Sequence, residues 1–348
     1  MIKSIHLKNF RIFDELNLDT NNSLVILSGK NATGKTSILE AIYLCSTSKS
    51  HRTNDIENVI SYNKEFSLCE INENNKYKLV ISKKGKVSFI NKKEIKKISE
   101  FIGNLQVVMF SPSDLSLIQG SKADKRRFLD MEISLLDKSY LTASIAYKRL
   151  LKERNEILKK DKLDLIYLDV LTKSLVNELD VIYKKRIEFI NSLNILLENI
   201  SKSMGIENIK LVYNSTYDPL NIYNSFKSKE KLDIYNKVTN IGSHRDDFII
   251  FINDKDSSIY ASEGQARTIC IIIKLALKEY IEKYFKIEPI LLLDDVFAAL
   301  DKKRIEALTK YVLKNKQTFI TTTSILEIPD ELLKNASVLR IENKKENK

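Results

Sequence analysis

Gly29, Gly34, Lys35 and Thr36 stand at the spacing G-x-x-x-x-G-K-T within LVILSGKNATGKTSIL, residues 24–39. Glycines that let a backbone approach closely, a lysine point charge and a hydroxyl beside it are the parts needed to hold a chain of phosphates and its Mg²⁺. The expected nucleotide contacts are Gly29, Lys30, Asn31, Ala32, Thr33, Gly34, Lys35, Thr36 and Ser37. Lys35 would reach the β- and γ-phosphates, and the Thr36 hydroxyl would ligate the metal. A metal bound this way also needs a carboxylate, and the attacking water needs a base. ILLLDD, residues 290–295, offers both, with Asp294 toward Mg²⁺ through water and Asp295 toward the nucleophile. Taken alone, an acidic pair at a strand end serves equally well to cap the following helix. A third group, Ser262-Glu263-Gly264-Gln265, stands just ahead of an apolar helical stretch, so hydroxyl, glycine amide and helix N-terminus again make an anion site. Two such sites on opposite edges of one chain cannot share a phosphate, but two copies placed head to tail can.

The elements around these residues have the required order. Leu24–Leu27 is an apolar run for a buried strand, and Ile38, Leu39 and Ile42 line one face of the helix that starts at Lys35. Residues 2–18 alternate well enough for two short strands joined near Lys8 and Asn9. Segments 66–71, 77–81 and 86–90 suggest a small antiparallel sheet, with Gly85 in a hairpin turn. Residues 105–110 form a buried strand stopped by Pro112, followed by a basic helix from Lys122. From Leu141 to Ile200 the chain is charged and helical, and Leu168, Leu171, Leu175, Leu179, Ile182, Phe189, Leu193, Leu196 and Ile200 form a stripe broken by Arg186. The expected architecture is therefore an α/β phosphate-loop head with an antiparallel β-subdomain and an inserted, mostly helical second lobe. Its expected divisions are 1–135, 136–235 and 236–348.

The chain of 348 residues carries a net charge of +11, which suits a polyanionic partner but equally follows from a lysine-rich genome. Lys122, Lys125, Arg126 and Arg127 would put several charges on one helix for DNA phosphates, or simply form a solvated basic face. Three scattered cysteines make neither a disulfide framework nor a zinc spacing. No apolar run reaches the roughly 18 residues of a membrane span, and no apolar core of a signal peptide opens the chain, so a cytoplasmic protein with no membrane partner is expected.

The order GKNATGKT, ASEGQ, LLLDD and AALD resembles the ATP-binding-cassette ATPases, and within them the SMC-like DNA-repair branch. FRIFDELNL, LEAIYLCSTSKSHRT, VVMFSPSDLSLIQGSKADKRRFLD, GSHRDD and LLLDDVFAALD followed by FITTTS resemble the RecF family from end to end. That resemblance implies ATP and Mg²⁺ as cofactors, with Asp294 as the Walker B acid and Lys35 and Asp295 as the catalytic residues. It also implies Ser262, Gly264 and Gln265 as a signature acting in trans, Asp301 as a coupling residue and Thr323 at the switch position. Gln106 is a candidate for the Mg²⁺-linked glutamine, and Arg11 or Arg52 for a contact to adenine or phosphate. It further implies an ATP-dependent homodimer on gapped or single-strand/duplex junction DNA, weak DNA-stimulated hydrolysis, and RecO and RecR as partners in placing RecA. Ala32 stands where the family usually has glycine. Asp295 replaces the glutamate of most cassette ATPases and is expected to slow hydrolysis. Two rival readings follow from the same motifs: the ATPase subunit of a transporter, or a nucleotide-gated DNA clamp that does not hydrolyse.

Overall fold

A computed structural model of the chain describes residues 1–206 and 208–342. The polar tail expected after the last strand lies, from residue 343 on, outside the described residues. The chain divides into two compact units, the first made of 1–115, 199–206 and 262 onward, the second of 116–198 and 207–261.

The first unit holds two sheets. One is a six-stranded antiparallel sheet in the order β2-β1-β4-β5-β6-β7, from Ser4–Phe10 (β1), Phe13–Asp19 (β2), Phe66–Asn72 (β4), Lys76–Ser82 (β5), Gly85–Ile90 (β6) and Lys93–Ile95 (β7). The other is a five-stranded parallel sheet in the order β14-β3-β13-β12-β8, from Leu24–Ser28 (β3), Val107–Phe110 (β8), Ile290–Asp294 (β12), Thr318–Thr322 (β13) and Ser337–Arg340 (β14). In β5 alternate residues Tyr77, Leu79 and Ile81 are buried, the period-two pattern of a sheet covered on one face. β3, β8, β12 and β13 are buried at every residue, as a parallel sheet covered on both faces requires.

Helix α1, Lys35–Thr47, shares one core with both sheets. Its Ile38, Leu39 and Ile42 pack in a cluster with Ile5, Leu7, Cys69 and Leu79 of the antiparallel sheet and Val25, Leu27, Leu292 and Phe319 of the parallel one. Gln317, fully buried, ties the first residues of the chain to this sheet: it accepts from the Ile2 amide at 2.6 Å and donates to the carbonyls of Ile2, Thr20 and Asn22.

The first hairpin turns at Arg11 and Ile12 rather than near Lys8 and Asn9. Phe10 is buried and pairs with Phe13, so the apolar alternation carries the strand past Asn9, which takes a left-handed φ of 50° inside it.

In the second unit, helices α2 (Lys122–Leu136), α3 (Lys138–Leu158), α4 (Leu165–Ser203, running on into the first unit from Asn199) and α5 (Ile222–Asn236) accompany an antiparallel sheet of β9 (Ile209–Asn214), β10 (Asp247–Ile252) and β11 (Lys255–Asp256). The unit is wider than the expected 136–235. Phe128 of α2 packs on Phe189 of α4 and Phe248 of β10, so both flanking segments belong to its core. Arg186 does not break the leucine stripe of α4 toward solvent. It is 2% exposed and donates to the Asp130 carboxylate (2.8 Å), the Tyr213 hydroxyl (2.9 Å) and the Ser243 carbonyl (3.1 Å).

Candidate nucleotide-binding site

Parallel register places three C-terminal strand ends side by side. Asp294 of β12 pairs with Thr321 of β13, and Thr322 of β13 pairs with Ser28 of β3. From β3 the chain enters the glycine loop and then helix α1, while Asp295 and Thr323 leave the ends of β12 and β13. Glycine is required at two loop positions by crowding. A Cβ on Gly29 would lie 2.4 Å from the Ile341 carbonyl oxygen, and one on Gly34, at φ 97°, would lie 2.4 Å from the Phe13 ring. Ala32 sits at φ 63°, a left-handed conformation that costs a non-glycine residue roughly 1 kcal/mol.

Lys35 folds its ammonium back onto the loop, donating to the Gly29 and Lys30 carbonyls at 2.7 Å each. Burial lowers its pKa, against the opposing charges of Asp295 and Asp294. Phosphate oxygens can replace those two carbonyls without moving the lysine's Cα. Thr36 donates to Asp294 Oδ1 at 2.9 Å, and Thr321 donates to the same oxygen at 2.7 Å. Thr36 and Asp294, the two expected partners of Mg²⁺, are thus in direct contact. A hydroxyl and a carboxylate are the hard oxygen donors Mg²⁺ prefers, and phosphate and water complete its shell in sites of this kind.

Thr321 was not anticipated, although FITTTS contains it. Its hydroxyl accepts from the Asp295 amide at 2.9 Å while donating to Asp294, so one side chain sets the spacing of both acids. Asp295 lies at a left-handed φ of 50°. Burial raises its pKa, the charges of Glu327 and Asp294 add to the rise, and Lys35 and Arg267 oppose it. Glu327 is held in turn by the Thr322 hydroxyl at 3.0 Å.

Arg11, Arg52, Asn31, Ala32, Gly34, Lys35, Thr36, Ser37, Asp294, Asp295, Thr321 and Thr323 all line one hollow of about 490 Å³. Arg11 grips Glu40 of α1 with two hydrogen bonds, at 2.8 and 2.6 Å, and Arg52 lies 3.6 Å from the same carboxylate. Burial would push Glu40 up, but hydrogen bonds from Arg11 and Ser50 and the charges of Arg11 and His51 bring its pKa down. The anion therefore holds both arginines at the rim.

Ser262, Gly264 and Gln265 do not line this hollow. They start helix α6, Glu263–Tyr280, as a capping box: Ser262 Oγ accepts from the Gln265 amide at 3.3 Å, and Gln265 Oε1 accepts from the Ser262 amide at 2.9 Å. Ser262 and Gly264 are exposed, and open space surrounds the position of a Gly264 side chain. Asp301 caps helix α7, Lys302–Lys314, accepting from the Arg304 amide at 3.0 Å. Gln106 is a correction. It precedes β8 and its carbonyl accepts from the Ile290 amide, so it lies at the N-terminal edge of the parallel sheet, the length of a strand from Asp294. It donates to the Gly103 carbonyl and lines a separate cleft.

Of the basic residues of α2, Lys125 is buried, Arg126 donates to the Asp246 carbonyl at 2.9 Å and Lys122 lies 3.8 Å from Asp247. Arg127 is exposed. His244, in GSHRDD, is architectural. Its Nε2 faces the Thr239 carbonyl at 3.1 Å and therefore carries the proton, leaving Nδ1 to accept from Tyr147 at 2.8 Å. Burial pulls its pKa down to about 4.

The family model for the RecF/RecN/SMC N-terminal domain matches residues 1–346. A protein of Acholeplasma laidlawii called DNA replication and repair protein RecF is 40% identical over 328 residues, covering 92% of this chain and 93% of its own length. A Bacillus cereus protein of the same name is 38% identical over 363 residues, covering 98% and 97%. A solved structure of the recombination mediator protein RecF with ATP superposes with a TM-score of 0.89 at 28% identity, covering 98% of this chain and 95% of that one. An Smc head domain from Pyrococcus furiosus shares the fold at a TM-score of 0.54 and 15% identity. Among the described residues no helix is long and apolar enough to cross a membrane.

Proposed function

This chain belongs to the RecF family of SMC-like ATPases, and from that premise we propose that it is an ATP-binding recombinational repair protein whose nucleotide switches its hold on DNA. The observation that carries the reading is the chain of contacts Thr36–Asp294–Thr321–Asp295 at the mouth of the phosphate loop. In this reading the loop amides and Lys35 hold the phosphates, and Thr36 with Asp294 would hold Mg²⁺, which supplies charge neutralisation at the β- and γ-oxygens. Asp295 accepts a proton from the attacking water. It is short and held by its own amide to Thr321, which fits slow turnover and long nucleotide occupancy.

The exposed Ser262 and Gly264, with the half-buried Gln265, start a helix whose N-terminal amides suit the γ-phosphate of a second copy's nucleotide. ATP would then close a homodimer on gapped or junction DNA, with Asp301 and Thr323 coupling the sites and hydrolysis releasing it. The relatives' names and the RecFOR pathway named for the solved structure support RecO and RecR as partners and the bacterial cytoplasm as the place of action. Of the α2 group, the exposed Lys122 and Arg127 are the members best placed for DNA phosphate.

Sedimentation with Mg²⁺-ATP, with and without a gapped duplex, tests this. The wild type is expected to dimerise, and both Lys35→Met and Ser262→Arg to stay monomeric. A wild type that binds ATP and remains monomeric sinks the shared-nucleotide reading.

A further inference from the structure

Residues 76–97 hold nine lysines, one glutamate and no aspartate, so this stretch supplies eight of the chain's eleven net positive charges. It folds as the meander β5-β6-β7 at one edge of the antiparallel sheet. Three of the lysines are engaged locally. Lys76 pairs with Glu70 at 2.8 Å, Lys78 lies over the Phe89 ring, and Lys86 donates to the Ser48 carbonyl at 2.7 Å. The other six, Lys83, Lys84, Lys92, Lys93, Lys96 and Lys97, are exposed and have no acid within ion-pair distance among the described residues.

Their spacing follows from two tight turns. Lys83 and Lys84 make the β5–β6 connection, closed by Gly85 at φ 123°. Lys92 is in the β6–β7 connection, where Asn91 and Lys92 both have positive φ, at 49° and 70°, the primed turn that matches strand twist. The two turns therefore lie at opposite ends of β6, separated by about 17 Å at roughly 3.4 Å per residue. Lys96 and Lys97 follow β7 back along the same edge. Phosphates on one DNA strand recur about every 3.4 Å along the axis, so this row spans about five of them.

We propose that this lysine-bordered edge is a phosphate-contact surface for duplex DNA, read by charge and not by sequence. The inference rests on the DNA-binding reading above and assigns it a surface. The partner is a duplex backbone and not unstacked bases, because Phe89, the ring the meander itself carries on its outer face, is already covered by Lys78. A single edge lysine suffices to discourage strand-on-strand aggregation; six unpaired ones along one edge concentrate a field that a polyanion can use.

The test replaces Lys83, Lys84, Lys92, Lys93, Lys96 and Lys97 by Gln together, with Lys159→Gln, Lys160→Gln and Lys162→Gln in the turn between α3 and α4 as the charge control. Binding of a 30-base-pair duplex and of single-stranded DNA is followed by fluorescence anisotropy with Mg²⁺-ATP between 50 and 200 mM salt, alongside ATP binding and a thermal melt. The meander variant is expected to keep its melt and its ATP affinity, to lose duplex affinity about tenfold or more at 100 mM salt, and to lower the log–log salt slope by about three or more. An unchanged slope and affinity overturns the proposal, as does an equal loss per lysine in the control or a loss confined to single strands. Wild-type protein that binds no DNA at all would instead sink the DNA reading itself, whatever the meander does.

Discussion

Charged side chains gather both in the nucleotide hollow of the first unit and in the polar core of the second, and the two are treated differently. In the second unit Arg186 is enclosed by Asp130, Tyr140, Tyr213 and the Ser243 carbonyl, and Asp246 accepts from Tyr213 at 2.6 Å and from the Thr216 amide and hydroxyl. Burial would raise the Asp130 pKa, but Arg186 and Lys148, with a hydrogen bond from Tyr140, hold it at about 2. Arg154 is fully buried against Asp233 at 2.8 Å in the same unit. In the hollow, by contrast, Lys35 bonds only to carbonyls, and Asp295 stands half-buried near two other acids with its pKa raised. Buried charge answered by its own neighbours is architecture. Charge held in place but incompletely answered is what a ligand completes.

The contrast can be broken by substitution. Arg186→Leu should have the largest effect, because it takes the buried guanidinium away from Asp130 and from the buried Asp246. A loss of about 3–5 kcal/mol is expected in urea unfolding, with ATP binding to whatever remains folded unaffected. A loss under 1 kcal/mol would mean that the second unit tolerates open charges as the hollow does. Asp295→Asn removes the proposed base and should slow hydrolysis by about a hundredfold or more while leaving the melt unchanged. In the switch reading it also prolongs residence on DNA, and an unaltered residence time favours the non-hydrolysing clamp.

Glu327→Gln is the finest test. The base works only when ionised, so activity should fall as pH drops through the Asp295 pKa, which burial and the neighbouring acids raise from its ordinary value. Removing the Glu327 charge relieves one of the causes of that rise, so the acid limb of the pH–rate profile should move to lower pH. An unmoved limb assigns the profile to some other group.

Much of the site was legible because it is written in local backbone grammar. A glycine loop between an apolar strand and a helix, an acidic pair closing an apolar run, and a Ser-x-x-Gln box ahead of a helix each need only a few neighbouring residues to be what they are. The α/β head, the antiparallel subdomain, the helical second unit and the family were readable on the same terms. Only the tertiary structure could decide matters that depend on residues far apart in the chain. Strand direction sent Gln106 to the wrong edge of the sheet. The register of β13 against β12 brought Thr321 between the two acids, 27 residues from Asp294 in sequence. Packing turned Arg186 from a flaw in a stripe into the centre of a core, buried Lys125 and tied Arg126 to the Asp246 carbonyl, while leaving the lysines of the β5-β6-β7 edge open. Periodicity tells which face of an element is buried; what waits on the other side of that face is settled only by the chain's return from elsewhere.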